Sequence, residues 1–235
     1  MENNSTEKNK VVIVTGANGN LGQAVVQKFL TENYLVFGTE TKSNNQNSPV
    51  KNLEKTVVDL SNENAAANFV NDVIKKHDAI DVAVLTAGGF AMAKVEGTKA
   101  SDILDQYKIN FETAYNIAKP AFLQMLKQGS GRIFLIGSKP GLNAKDSKGM
   151  IAYGLSKSLI FRLAELMNDE ATGTNVVVSV VVPSTIDTPP NRKAMPDAVF
   201  NKWVKPEAIA DVIYWHCTNE AAALRESIIK VYNHA

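Results

Sequence analysis

The sequence predicts an α/β fold: a doubly wound parallel sheet of about seven strands with helices on both faces. Three observations carry this reading. Apolar, largely β-branched runs alternate with amphipathic helical patterns from residue 11 to the end of the chain. Several of those runs are apolar throughout, as in strands covered on both faces. The first of them, Val11 to Thr15, ends in glycines at 16, 19 and 22 and leads into a segment carrying Leu21, Val25, Val26, Phe29 and Leu30. That is a strand, a tight turn and a helix with one apolar face.

The remaining elements follow in order. Residues 34–39 read as the second strand, 55–58 as the third and 80–86 as the fourth. Residues 132–137 and 175–182 are the fifth and sixth, and 228–232 the seventh. Helical patterns fill 63–76, 101–127, 151–172 and 205–217. Ser61, three residues before Asn64, is placed to cap the first of these. Pro120 is expected to break or kink the second, because it lacks an N–H and its ring crowds the preceding turn. Two stretches read as surface loops: 42–52, rich in Asn, Gln and Ser, and 187–196, which holds three prolines. No repeat or internal boundary appears, so residues 1–235 read as one domain with a polar tail over 1–9.

Composition narrows the class. A balance of 25 basic against 24 acidic residues gives no reason to expect nucleic acid or an anionic membrane as partner. The single cysteine, Cys217, excludes an intrachain disulfide and has no metal-ligand spacing around it, so it reads as a packed thiol and no metal is expected. No apolar stretch approaches spanning length, and residues 1–10 lack the apolar core of a signal peptide. The Asn3-Asn4-Ser5 sequon then has no significance, and a cytoplasmic location is expected.

The glycine turn carries the first chemistry. Gly16 permits the turn, Gly19 lets the backbone approach a pyrophosphate, and Gly22 allows close helix–strand packing. The helix N-terminus then receives the anion. The second feature lies mid-chain, where Tyr153 and Lys157 are four residues apart and so leave one helix face together. An ammonium beside a phenol favours the phenolate, drawing its pKa down from about 10. A tyrosine so tuned can exchange a proton with an oxygen at a reacting carbon.

Glycine turn, mid-chain serine and Tyr-x-x-x-Lys in this order resemble the short-chain dehydrogenase/reductase family, over essentially the whole chain. The resemblance implies a Rossmann-type fold and an NAD(P)-dependent oxidoreductase acting on a small-molecule substrate. It implies that Gly16, Asn18, Gly19, Asn20, Leu21 and Gly22 bind the cofactor. Asp59 and Leu60 follow strand three and resemble the adenine contact, while Ala87, Gly88 and Gly89 resemble the segment beside the adenine ribose. Pro183, Ile186 and Thr188 resemble the loop that holds the carboxamide. Asn110 resembles the helix asparagine of a proton relay, holding a water that links Lys157 to solvent. Ser138 resembles the serine that binds the substrate oxygen. Tyr153 would be the acid/base, with Lys157 lowering its pKa and binding the nicotinamide ribose. Phe90, Ser138, Lys139 and Met195 would face substrate.

Within that family the chain is similar to the dihydropteridine reductases. It shares their Gly-x-x-Gly-x-x-Gly spacing, an aromatic (Phe90) after Ala87-Gly88-Gly89, and the stretch Asp187-Thr188-Pro189-Pro190-Asn191-Arg192-Lys193-Ala194-Met195-Pro196. Those reductases carry a small apolar residue where this chain has Ser138. A quinonoid pterin is easily reduced and has no need of a serine to polarise a carbonyl, so Ser138 points to a carbonyl or alcohol. Pterin reduction stays open as an alternative, as does a dinucleotide-sensing protein without turnover.

Cofactor choice is read at the end of strand two. Glu40 can accept both hydroxyls of the adenine ribose and repel a 2′-phosphate, and the neighbouring positions Asn18 and Thr41 are not basic. NAD(H) is therefore expected over NADP(H), although Lys42 is near enough to reach a phosphate. The helices at 101–127 and 151–172 carry apolar residues on more than one face, including Leu104, Ile109, Ile117, Leu123, Leu155, Leu159, Phe161 and Leu166. The family resemblance implies that these helices form a two-fold four-helix interface, hence a homodimer or a tetramer of such dimers. Residues 187–203 follow strand six at the carboxyl end of the sheet and read as a lid over nicotinamide and substrate.

Overall fold

The computed structural model describes residues 9–42, 49–225 and 227–234. The sequon, most of the polar tail and the middle of the 42–52 loop lie outside the described residues. In chain order the main elements are β1 (Val11–Thr15), α1 (Asn20–Thr31), β2 (Leu35–Glu40), β3 (Leu53–Val57), α2 (Glu63–His77), β4 (Val82–Leu85), α3 (Ala100–Tyr107) and α4 (Thr113–Gln128). They continue with β5 (Ser130–Ile136), α5 (Lys139–Leu142), α6 (Ile151–Glu170), β6 (Asn175–Pro183), α7 (Pro189–Ala194), α8 (Pro206–Trp215) and β7 (Ile228–Val231).

The strands form one parallel sheet in the order β3-β2-β1-β4-β5-β6-β7. One apolar cluster, from Ile13, Phe69, Ile117 and Ile160, lies under α2, α4 and α6. The other, from Val12, Val25, Phe29 and Ile209, lies under α1 and α8. The doubly wound α/β expectation therefore holds. Strand order reverses between β1 and β4, and at such a switch point the carboxyl ends diverge and leave a crevice for ligand.

Strand four is shorter than its apolar run. Asp81 precedes it, with its carboxylate accepting from the Val11 N–H at 2.7 Å. The Gln128 side chain takes both backbone groups of Ile80, so that residue never joins the ladder. Helix α2 is capped by Asn62, whose Oδ1 accepts from the Ala65 N–H at 3.1 Å. Ser61 is one residue too early, and its hydroxyl instead donates to Asp59.

Pro120 does not break the helix: α4 continues through it. The predicted helix 101–127 divides earlier, at a π-helical turn spanning Lys108–Glu112. A π turn inserts one extra residue and re-aims the side chains on it. The predicted loop 187–196 contains α7, in which Pro189 and Pro190 occupy the first turn. A helix start needs no N–H there, so these prolines favour the helix rather than prevent it. Cys217 packs beside the α8 cluster, and burial pushes its thiol up to about 12.

Candidate active site

The glycine turn joins β1 to α1 at the switch point. Gly16 has φ +61°, a conformation that favours glycine. A Cβ on Gly22 would lie 2.1 Å from the Gly16 carbonyl oxygen, so α1 approaches β1 as closely as it does only because Gly22 has no side chain. Gly19 caps α1 and has no side chain to accept from the first-turn N–H groups. That open donor set fits a pyrophosphate. Across the crevice, the Ala87 N–H donates to Thr15 Oγ1 at 3.1 Å, and Thr86 Oγ1 donates to the Thr15 carbonyl at 2.6 Å. These bonds hold the segment 87–89 beside the turn.

Beside the turn, Glu40 finishes β2 and is buried. Asn18 Nδ2 donates to its carboxylate, and Lys55 Nζ donates to Asn18 Oδ1 at 2.6 Å. Lys55 was invisible to motif reading because its place here depends on strand pairing. The hydroxyl and N–H of Ser61 donate to Asp59 and lower its carboxyl pKa. Leu60 is buried, and its carbonyl accepts from Asn116 Nδ2 at 2.9 Å.

Beyond β5, Ser138 is buried and caps α5 by accepting from the Gly141 N–H at 3.1 Å. A Cβ on Gly141 would stand 2.7 Å from the Lys157 backbone carbon, so the missing side chain lets α5 lie against α6. That contact brings the Ser138 hydroxyl beside the Tyr153 phenol. The expected lowering of the tyrosine pKa by Lys157 is not seen in this structure. Burial pushes the Tyr153 phenol up, and the Ser138 hydroxyl is what opposes it. Lys157 Nζ instead donates to the Ile136 carbonyl at 2.8 Å, and burial lowers its own pKa to about 8.

Asn110 sits buried in the π turn. Its Oδ1 accepts from the Gly89 N–H at 3.0 Å, and its Nδ2 donates to Gln106 and Ser156. The side chain thus ties the Gly89 backbone to α3 and α6. A Cβ on Gly88 would lie 2.8 Å from Asn110 Oδ1 and 3.5 Å from Lys157 Nζ, which places these three residues together. Gln106 and Ser156 had no sequence signal, since their role depends on the π turn.

The residues expected to face substrate separate. Phe90 is 60% exposed, and its ring meets that of Tyr153 edge-on at 4.9 Å. Lys139 reaches over the Tyr232 ring at 4.4 Å. Met195 ends α7 and is exposed. Pro183 ends β6, and Ile186 forms a bridge with Val204. Thr188 is buried, and its hydroxyl accepts from the Asn191 N–H at 3.3 Å as the cap of α7.

A family model described as short chain dehydrogenase matches residues 10–198. The 3-oxoacyl-(acyl-carrier-protein) reductase FabG of Thermotoga maritima is 25% identical over 237 aligned residues, covering 94% of this chain and 96% of that protein. A dihydropteridine reductase of Dictyostelium discoideum is 26% identical, covering 94% of both chains. The solved structure of ElxO with NADP bound superposes with TM-score 0.86 at 22% identity, over 95% of this chain and 97% of that one, a likeness of fold.

Proposed function

The chain belongs to the short-chain dehydrogenase family of NAD(P)-dependent oxidoreductases, and we propose that it exchanges hydride between nicotinamide and a small carbonyl or alcohol, with Tyr153 as acid/base. The observation that carries this is Ser138 set beside Tyr153, with Lys157 buried one helical turn along the same face. A bound nicotinamide supplies or accepts the hydride at its C4 position. Ser138 donates to the substrate oxygen as negative charge develops there. Tyr153 delivers its proton to that oxygen in reduction and takes it back in oxidation, so hydride and proton together make the alcohol. Lys157 binds the nicotinamide ribose, and its charge then favours the phenolate. Asn110 holds Gly88 and Gly89 against the cofactor.

Glu40 favours NAD(H) by accepting from the adenine ribose hydroxyls. The glycine turn takes the pyrophosphate, while Asp59, Leu60 and Ala87 line the adenosine and Pro183, Ile186 and Thr188 the carboxamide. Phe90, Lys139 and Met195 face substrate. Apolar side chains left exposed on α4 and α6, Leu123 and Leu155 among them, make a homodimer or a tetramer of dimers the assembly we propose.

Pterin reduction is the second reading. It is favoured by the exposed Phe90 ring beside Tyr153, a platform for a planar heterocycle, and by the dihydropteridine reductase relative. A non-catalytic sensor would have no use for the set Ser138, Tyr153 and Lys157. Aldehydes, ketones, quinones and quinonoid pterins tested against nicotinamide absorbance distinguish these. Turnover of a ketone or aldehyde supports the first reading, turnover of the pterin alone the second, and tight cofactor binding without any turnover the sensor.

A further inference from the structure

We propose that Lys55 sets how this protein reads the 2′ position of the adenosine half of its cofactor, giving a 2′-phosphate a cation to bind beside Glu40. The inference rests on the dinucleotide reading above. Parallel pairing sets Lys55 of β3 opposite Gly38 of β2. A Cβ on Gly38 would lie 3.4 Å from Lys55 Cγ and 2.7 Å from Ala17 Cβ. Because Gly38 has none, the lysine stem crosses the face of β2 toward the glycine turn. A glycine inside a strand commonly marks such a close approach. At the end of that path Lys55 Nζ donates to Asn18 Oδ1 at 2.6 Å, while Asn18 Nδ2 donates to the Glu40 carboxylate.

The Asn18 amide therefore stands between a buried anion and a cation from the edge strand. Glu40 alone would accept a ribose diol and repel a phosphate. Lys55 supplies the opposite charge one amide away, and it and Asn18 Nδ2 are both donors that a phosphate oxygen can use. The site thus carries an acceptor for the 2′-hydroxyl and a cation for the 2′-phosphate. NAD(H) stays preferred, and Lys55 narrows the margin. Neither flanking position Asn18 nor Thr41 is basic, so the cation comes from the neighbouring strand instead of the turn.

The test is fluorescence titration of NADH and NADPH into the wild-type protein, K55M, K55R and K42M. K55M should weaken NADPH by at least ~10-fold more than it weakens NADH, the size of one charge-assisted contact. K55R should restore the wild-type ratio, and K42M should leave that ratio near the wild-type value. An unchanged NADPH-to-NADH ratio in K55M, or a shift in K42M instead, would overturn the inference while the dinucleotide reading stands. Failure of the wild-type protein to bind either nucleotide would overturn both.

Discussion

Lys157 donates its ammonium hydrogen bond to the main-chain carbonyl of Ile136 at 2.8 Å, two residues ahead of Ser138. The same lysine that shares a helix face with Tyr153 is therefore fastened to the end of β5. Strand end and helix α6 are tied together at the point where Ser138 and Tyr153 meet. The lysine does this from a buried position, and its charge is correspondingly costly.

That cost predicts a pH dependence. Burial lowers Lys157 from 10.5 to about 8 in the folded protein. Below the folded value both states hold the proton, and the fold bears the full cost of the buried charge. Between about 8 and 10.5 the unfolded chain binds more protons, so stability rises with pH across that window. The rise amounts to about 3 kcal/mol. Urea unfolding of the cofactor-free wild-type protein and Lys157→Met checks it. The wild-type stability relative to the variant should increase between pH ~7 and ~10. A difference that stays level across that range would mean the ammonium is not buried as described.

Tyr153→Phe should lower kcat by ~10²–10⁴-fold, the usual share of a positioned acid/base. Only one hydroxyl is lost, and the Phe90 ring contact survives. Affinity for NADH, read by fluorescence, should stay within a few-fold of wild type. Retention of most of the activity would assign the proton transfer to another group.

The glycines make a sharper contrast. Gly22→Ala must place a methyl 2.1 Å from the Gly16 carbonyl oxygen, and backbone on both sides has no room to give. We expect a loss of ~1–3 kcal/mol or more in stability, together with loss of cofactor binding. Gly97→Ala meets nothing within 4 Å and has no left-handed φ to strain. It should change stability by no more than ~1 kcal/mol, read by urea unfolding. Equal effects from the two substitutions would contradict the close approach of α1 to β1.

What the sequence disclosed follows a physical division. Strands β1, β5 and β6 are buried on both faces, so their composition announces them, and the glycine turn is local in sequence. Tyr153 and Lys157 were legible because four residues make one turn of helix. Other features depend on partners far along the chain. The path of Lys55 needs Gly38 across the β2–β3 pairing, and the use of Asn110 needs Ser156 on another helix. The shift of the cap from Ser61 to Asn62 is a one-residue matter that Asp59 decides by taking the serine hydroxyl. The π turn at Lys108–Glu112 has no compositional mark, whereas Pro120, which does, leaves the helix unbroken.

Assembly can be tested on side chains that the fold leaves uncovered. Ile117, Phe122, Met125, Ile160 and Phe161 from the apolar helices are spent in the core. Leu123 is 51% exposed on α4, and Leu155 is 51% exposed on α6. Exposed leucines on two helices of one sheet face cost solvation unless a second copy covers them. Light scattering at micromolar concentration should report a dimer or tetramer, and Leu123→Glu with Leu155→Glu should give a monomer of native helicity. A wild-type monomer would remove the proposed interface.

The segment after β6 carries its own latch. Arg192 donates from Nε and Nη2 to the two carboxylate oxygens of Asp187 at 2.6 and 2.8 Å, and its guanidinium lies 4.8 Å from the centre of the Phe200 ring. Thr188 caps α7, and Asn191 Nδ2 donates to the Ile186 carbonyl at 2.8 Å. Both therefore fasten α7 to the backbone that leads out of β6. A solvent-screened surface ion pair contributes little, so the latch biases the segment without locking it. As a lid it should be ordered further by cofactor, which would shield Lys193 from trypsin. Arg192→Ala should speed cleavage at Lys193 in the free protein, and saturating NADH should slow it in both forms. If NADH leaves the cleavage rate of the wild-type protein unchanged, the segment is a surface strap and plays no part in closing the site.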